Sequence, residues 1–152
     1  MADSELAVQL SIRIDAAPER VWEAFLSQDG WRRWFHPGVD IEPKVGGRFQ
    51  ISGTHGGRPY AFVGTVLVFE PERRVVVTWA WDPPRYEGET RISYTLIPDG
   101  AGTLVRFAHD GFEQLPGPFR QREYESFRSG WRIDEELSAL KTLVESGRSL
   151  LV

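Results

Sequence analysis

The chain contains no cysteine, only Lys44 and Lys141 as lysines, and no apolar run of the roughly 20 residues needed to cross a membrane. Without cysteine there can be no disulfide, thiol nucleophile or thiolate metal site. The acidic side chains, 22 against 18 basic ones, leave a formal net charge of -4. The broad positive field typical of nucleic-acid-binding domains is therefore missing, and we expect neither a nucleic-acid nor a membrane partner.

The N-terminal segment Met1–Val8 has neither the basic start nor the apolar stretch of a signal peptide. Together with the absence of cysteine, this predicts a cytoplasmic protein. The length of 152 residues, 41% of them hydrophobic, suits one domain over 1–152, with a core over about 8–146. No linker or internal repeat divides the chain.

Hydrophobic periodicity predicts the first elements. Apolar and polar residues alternate over Val8–Ile14, which indicates a strand with one buried face. A helix is predicted over Pro18–Ser27 and is expected to end at Gln28–Gly30. The spacing of Trp31, Trp34 and Phe35 predicts a second short helix that stops before Pro37.

The middle of the chain, residues 39–109, consists of β-like runs joined by short turns rich in Gly, Pro and Asp. Such short connections favour antiparallel hairpins over parallel crossovers. The proline-free segment Gln121–Ser146 has helical spacing and predicts one long helix ending at Gly147. The predicted fold is α+β: a curved antiparallel sheet of about six strands around a long C-terminal helix, with a cavity between them.

Several segments resemble successive signatures of the helix-grip (START, Bet v 1-like) superfamily, in the branch related to the C-terminal domain of the activator of Hsp90 ATPase. They are Val21–Phe25, Trp31–Phe35, Val45–Phe49, Gly64–Leu67 with Thr78–Trp79, and Ser129–Trp131. The resemblance covers about Gln9 to Glu145 and implies the helix-grip fold. It leaves the activity open, because that fold hosts lipid carriers, cyclases, hormone receptors and co-chaperones.

The aromatic side chains suggest a ligand site. Six Trp and nine Phe are many for this length, and the strand pattern directs several of them toward the helix. The favoured function is binding of a small, largely apolar ligand, lipid-like or an aromatic metabolite, without a cofactor. The candidate ligand-binding residues are Trp34, Phe35, Phe49, Phe62, Trp79, Trp81, Tyr94, Phe107, Phe127 and Trp131.

An alternative is an enzyme similar to the aromatase/cyclases, with His109, Asp134 and Tyr94 as acid or base candidates. His109 ends a predicted strand and resembles the family's histidine there, but a structural histidine fits the pattern better. Asp134 follows Trp131 by one helical turn and could face the cavity, although a solvated carboxylate fits its charged neighbours better. We therefore favour a binding protein over an enzyme.

The remaining alternatives concern metals and protein partners. His36, His55 and His109 are far apart, and none forms a pair at ligand spacing, so no metal site is expected. The Hsp90-activator resemblance implies a chaperone partner as a third hypothesis. Edge strands and an exposed region around Trp31 and Trp34 would suit a homodimer.

Overall fold

A computed structural model of the protein describes residues 6–130 and 132–151. One antiparallel sheet of seven strands dominates it, in the spatial order β1-β7-β6-β5-β4-β3-β2. The strands are β1 (Val8–Ile14), β2 (Val39–Ile41), β3 (Arg48–His55), β4 (Arg58–Glu70), β5 (Arg74–Trp81), β6 (Thr90–Asp99) and β7 (Gly102–Asp110).

Helices flank this sheet in the chain, two near the N-terminus and two after the last strand. They are α1 (Pro18–Trp22), α2 (Gln28–Trp34), α3 (Gly117–Gly130) and α4 (Ile133–Ser146), with single 3-10 turns at Glu23–Phe25 and Phe112–Gln114. The α+β helix-grip class is confirmed. The strand beyond the expected six is β2, which at three residues is too short to show a period in sequence.

The helix boundaries differ from the predicted ones. The first helix tightens into a 3-10 turn and ends at Phe25, and α2 already begins at Gln28. Ser27 is the reason, because its side chain accepts a hydrogen bond from the Gly30 amide and caps α2. Gly30, expected to end a helix, lies inside α2, where a Cβ would stand 2.8 Å from the Ala24 carbonyl oxygen.

The C-terminal helical segment is divided, where one continuous helix was predicted. It starts at Gly117 rather than Gln121, and α3 ends at Gly130, a residue with low helix propensity. Helix α4 starts at Ile133 and is terminated by Gly147 in the left-handed conformation. The two helices contact different elements: α3 packs mainly on the 3-10 turn at Phe112–Gln114, and α4 packs mainly on β1 and α2.

The core lies between the concave sheet face and these helices. Helix α4 packs on β1 and α2 and buries Leu137, Leu140 and Val144. A register shift in β4 between Val66 and Val68 bends the sheet at that point. Strand alternation correctly predicted the buried side of the sheet from Phe49 on β3 to His109 on β7, except beyond this shift, where strict alternation would turn Val68 inward but Phe69 packs on Trp22.

Candidate functional site

A cavity of about 700 Å³ opens between the sheet and the C-terminal helices. It lies at the start of β4 and the end of β5, with α3 on the other side. Its walls are aromatic, and polar groups stand at several points around them. The residues that line it are Phe35, His36, Ile51, His55, Arg58, Pro59, Tyr60, Phe62, Trp79, Trp81, Arg85, Ser126, Phe127, Gly130 and Glu136.

Four aromatic rings, hereafter the cavity wall, form the apolar surface of this space: Phe62, Trp79, Trp81 and Phe127. Phe62 and Trp81 are register partners on β4 and β5, and Trp79 shares the face of Trp81 two residues earlier. The Phe62 ring centroid lies 4.4 Å from Trp79 and 4.2 Å from Trp81. Phe127 of α3 stands farther off, 6.0 Å from Phe62. The sheet thus supplies an aromatic floor, and Phe127 supplies the ring on the helix side.

His36 and Tyr60 form a polar pair in the lining. His36 Nε2 lies 3.0 Å from the Tyr60 hydroxyl, and the Gly38 amide donates to His36 Nδ1 over 2.8 Å. Both side chains are half-buried. Burial lowers the pKa of His36, which favours the neutral imidazole that this bonding requires.

Glu136 is the buried carboxylate of the cavity. It extends from α4 and accepts a hydrogen bond from the hydroxyl of Tyr94 on β6. Burial first, and then the neighbouring Glu136 charge, raise the pKa of Tyr94 well above its usual range. Tyr94 therefore stays a neutral donor and ties the helix to the sheet.

A second buried carboxylate, Glu123 of α3, holds the edge of the cavity wall. It accepts hydrogen bonds from Trp81 Nε1 over 2.8 Å and from the Tyr86 hydroxyl. Burial, followed by the hydrogen bond to Glu123, raises the pKa of Tyr86. The Arg85 guanidinium, which also lines the cavity, lies 3.5 Å from the Trp81 ring centroid. These contacts fix the indole of Trp81 although its ring is partly exposed.

His109 is fully buried behind the cavity wall and does not line the cavity. Its Nε2 forms a 2.7 Å hydrogen bond with Thr90 Oγ1, and its ring lies 4.7 Å from that of Phe127. Burial lowers the pKa of His109 to about 3. The geometry therefore gives a neutral histidine in the core rather than a base open to a ligand.

The candidate ligand-binding residues divide into two groups in space. Phe35, Phe62, Trp79, Trp81 and Phe127 line the cavity. The others that the structure describes are buried in the core away from the lining: Trp34, Phe49, Tyr94 and Phe107. Trp131 lies outside the described residues.

One alternative is excluded and one expectation needs correction. As the favoured interpretation had it, Asp134 is exposed on α4 and does not face the cavity, because the buried stripe of that helix runs through Ile133, Glu136 and Leu137. The region of Trp31 and Trp34 is not exposed either, since both side chains have 0% relative accessibility. Their indole hydrogens bond to the carbonyl oxygens of Phe25 and Ala24, so these rings are sealed in the core and offer no dimer surface.

Sequence reasoning missed the polar residues of the cavity. The inward position of Glu136 could have been predicted, because Glu136 lies at helical spacing from Ile133 and Leu140. The pairing of His36 with Tyr60 could not have been predicted, since they are 24 positions apart and meet only through the fold.

A further depression of about 830 Å³ lies at the opposite ends of β4 and β5, around their connecting turn and the start of α1. Charged residues such as Glu19, Glu70 and Arg73 line much of it. An apolar ligand gains little from such a surface, so we place the candidate site at the aromatic cavity.

Within residues 6–130 and 132–151, no group of three or more side chains could hold a metal ion. No helix of that part is long and apolar enough for a membrane span.

Comparison with known proteins agrees with this architecture. The sequence model of the family "activator of Hsp90 ATPase homolog 1-like protein" matches residues 15–145. The crystal structure of MLL2253 from Mesorhizobium loti is similar, with 26% identity, a TM-score of 0.70, and coverage of 91% of this chain and 96% of that one. A search of curated proteins finds no significant match.

Two other solved structures share the fold. The Aha1 dimer from Colwellia psychrerythraea has 24% identity and a TM-score of 0.65, over 94% of this chain and 98% of its own. DynU16, described as a putative protein in the dynemicin biosynthetic locus, has 20% identity and a TM-score of 0.72 over 95% of this chain. The present chain spans 49% of DynU16. Family and cavity together support a ligand-binding helix-grip domain.

Proposed function

The chain belongs to the activator of Hsp90 ATPase homolog 1-like family, and from this premise we propose that it binds a small, largely apolar ligand in its aromatic cavity. The observation that carries the proposal is the open space of about 700 Å³ between the sheet and α3. A ligand site of this size commonly has apolar walls and a few polar groups that orient the ligand.

The energetics favour an aromatic or lipid-like ligand. Burial of apolar surface contributes on the order of 25 cal/mol per Å², so a ligand of modest size can bind without a catalytic group. Phe62, Trp79 and Trp81 supply the aromatic surface that such a ligand would contact. The polar groups Tyr60, His36 and Glu136 would then fix its orientation.

Native mass spectrometry of freshly purified protein is the first test, followed by denaturing extraction and identification of released molecules. We expect a stoichiometric apolar adduct, or a thermal shift with members of a lipid and aromatic-metabolite panel. The panel includes biosynthetic metabolites because the fold neighbour DynU16 is described as part of a biosynthetic locus. A clean apo mass with no thermal shift would count against the proposal.

A matched pair of variants locates the binding. Ser126 and Ser129 are both exposed on α3, but only Ser126 lines the cavity. Ser126→Trp is expected to fill the opening and weaken binding of any panel hit by at least about tenfold, equivalent to about 1.4 kcal/mol. Ser129→Trp should bind like the unaltered protein. Equal binding by both variants would place the ligand elsewhere.

A homodimer is proposed as the protein partner, with support from the Aha1 relative that is described as a dimer. Light scattering after size-exclusion chromatography, across a dilution series, is the measurement. A constant monomer mass at all concentrations would reject the homodimer. Cytoplasmic location, a chaperone partner and cyclase activity stay predictions.

A further inference from the structure

We propose that the hydroxyl of Tyr60 donates a hydrogen bond to the ligand, and that the ligand is an apolar aromatic molecule bearing a carboxylate at that point. This inference rests on the proposed binding function and names the ligand class for the same cavity. It depends on the direction of the hydrogen bonds around His36, on the space that two glycines leave, and on the charges beside Tyr60.

The tautomer of His36 follows from its backbone partner. An amide N–H can only donate, so the Gly38 amide at 2.8 Å makes His36 Nδ1 an acceptor without a proton. The neutral ring then carries its hydrogen on Nε2. The Tyr60 hydroxyl, 3.0 Å from Nε2, must accept that hydrogen.

The hydrogen of Tyr60 itself is consequently directed elsewhere. Within residues 6–130 and 132–151, no hydrogen bond joins this hydroxyl to an acceptor. Tyr60 is half-buried in the cavity lining, where a ligand displaces the water that would otherwise accept. A ligand without an acceptor oxygen at this point would leave a polar hydrogen unsatisfied, which is costly in a desolvated site.

Two glycines make room for the pair. Gly53 lies opposite Tyr60 in the β3–β4 register, and a Cβ there would stand 2.8 Å from the Tyr60 hydroxyl oxygen. At Gly38 a Cβ would stand 2.1 Å from the Ser52 carbonyl oxygen and 3.2 Å from the His36 ring. The local backbone thus brings His36 close to β3 and lets the Tyr60 hydroxyl meet it.

The charges of the lining favour a negative ligand group. Arg58 precedes Tyr60 by two residues on β4 and so shares its side of the strand, and Arg85 also lines the cavity. Neither arginine forms a salt bridge with a carboxylate in the described part of the chain. Against these two arginines the lining holds one carboxylate, Glu136, which accepts a hydrogen bond from Tyr94. A carboxylate near Tyr60 would receive both a hydroxyl hydrogen and a favourable field.

The test uses three probes with one aromatic body: naphthoate, methyl naphthoate and ethylnaphthalene, substituted at the same ring position. Equilibrium dialysis measures their affinities for the unaltered protein and for Tyr60→Phe. Tyr124→Phe is the matched control, because Tyr124 lies on α3 outside the lining and its hydroxyl forms no hydrogen bond with a described residue.

We expect naphthoate to bind at least about tenfold more tightly than ethylnaphthalene, with the neutral ester between them. Tyr60→Phe should lower the affinity for naphthoate about tenfold and change the affinity for ethylnaphthalene by less than about twofold. Tyr124→Phe should change neither. An unchanged affinity ratio in Tyr60→Phe would overturn the inference and leave the cavity function standing. Failure of all three probes to bind would likewise overturn the inference, whereas the cavity function is judged separately by native mass spectrometry and the thermal-shift panel.

His36 is a positioning residue in this scheme, and its effect must appear in selectivity. His36→Ala frees the Tyr60 hydroxyl to turn, so the ratio of naphthoate to ethylnaphthalene affinity should fall by about threefold. A merely structural role would weaken both probes equally. Long-range ¹⁵N–¹H spectra of labelled protein report the tautomer directly, and a proton on Nδ1 of His36 would contradict the argument.

Discussion

Two aromatic regions of the molecule have similar composition and opposite packing. In the first, the packed cluster of Phe25, Trp31, Trp34 and Tyr94, every ring is buried and neighbouring centroids lie within 5.1 to 6.0 Å. In the second, the cavity wall, the ring spacing is similar, with Phe127 6.0 Å from Phe62, but Trp81 is partly exposed and all four rings line an open space.

The difference lies in what covers each region. Trp31 and Trp34 lie on α2, and their indole N–H groups donate hydrogen bonds to the carbonyl oxygens of Phe25 and Ala24, 6 and 10 residues earlier. Local bonds therefore hold α2 tightly over the sheet. Trp81 of the cavity wall bonds to Glu123, 42 positions away on α3. Aromatic richness thus does not decide between a core and a cavity; the elements that cover the rings do.

The largest expected effect contrasts one tryptophan from each region. Trp34→Ala should lower the free energy of unfolding by about 3–5 kcal/mol, because it leaves a void among packed rings. Trp81→Ala should cost about 1–2 kcal/mol, because its ring is partly exposed beside an existing space. Urea unfolding of both variants measures this. Equal losses would mean that the cavity wall is as tightly packed as the cluster.

The next effect concerns the link between the regions, the hydrogen bond from Tyr94 in the packed cluster to Glu136 in the cavity lining. Tyr94→Phe should cost about 1–3 kcal/mol, because the buried carboxylate loses this donor. Glu136→Gln should cost less, since an amide oxygen can still accept. Denaturant midpoints of the two variants decide the order, and the reverse order would refute this account of the link.

The pH dependence of stability tests whether the core behind the cavity wall is sealed from water. His109 has a pKa of about 3 when folded and an ordinary value of 6.5, so between these values the unfolded chain binds the extra proton. The free energy of unfolding should therefore fall as the pH falls from about 6.5 toward 3, by at most about 1.4 kcal/mol per pH unit from this residue.

The control for this effect is His109→Gln. Burial also lowers the pKa of His36, which acts in the same direction, and raises the pKa of Asp110, which acts in the opposite direction. Both groups remain in the variant, so the difference between the two pH curves isolates His109. Parallel curves would show that burial does not lower the pKa of His109.

The smallest expected loss of stability concerns Arg85, which packs on Trp81 of the cavity wall. Arg85→Ala removes the guanidinium above Trp81 and should cost about 0.5–1 kcal/mol. Arg73→Ala is the control, because Arg73 is exposed and its side chain makes no bond or ion pair to a described residue. Thermal unfolding compares them. If Arg85→Ala lowers the melting temperature no more than Arg73→Ala does, Arg85 does not stabilise the cavity wall.

The candidate site was predictable only in part. Alternation correctly directed Phe62 and Trp79 inward, and both line the cavity, but it directed Phe49 and Phe107 inward just as strongly, and these are packed in the core. A strand pattern reports which face a side chain takes and contains nothing about the distance to the helix opposite. Asp134 and Glu136 show the same limit on α4. They are two positions apart, yet Asp134 is exposed to solvent and Glu136 lines the cavity.

By itself, the sequence determined six of the seven strands, the antiparallel connections and the aromatic character of the interior, because these depend on local periodicity and turn chemistry. The family was indicated by the resemblance of its motifs. Only the tertiary structure decided that α3 and α4 are separate, that Trp31 and Trp34 are sealed, and that His36 meets Tyr60 beside an open space. A cavity is the volume that packed elements leave between them, so it depends on angles and distances that no single segment encodes.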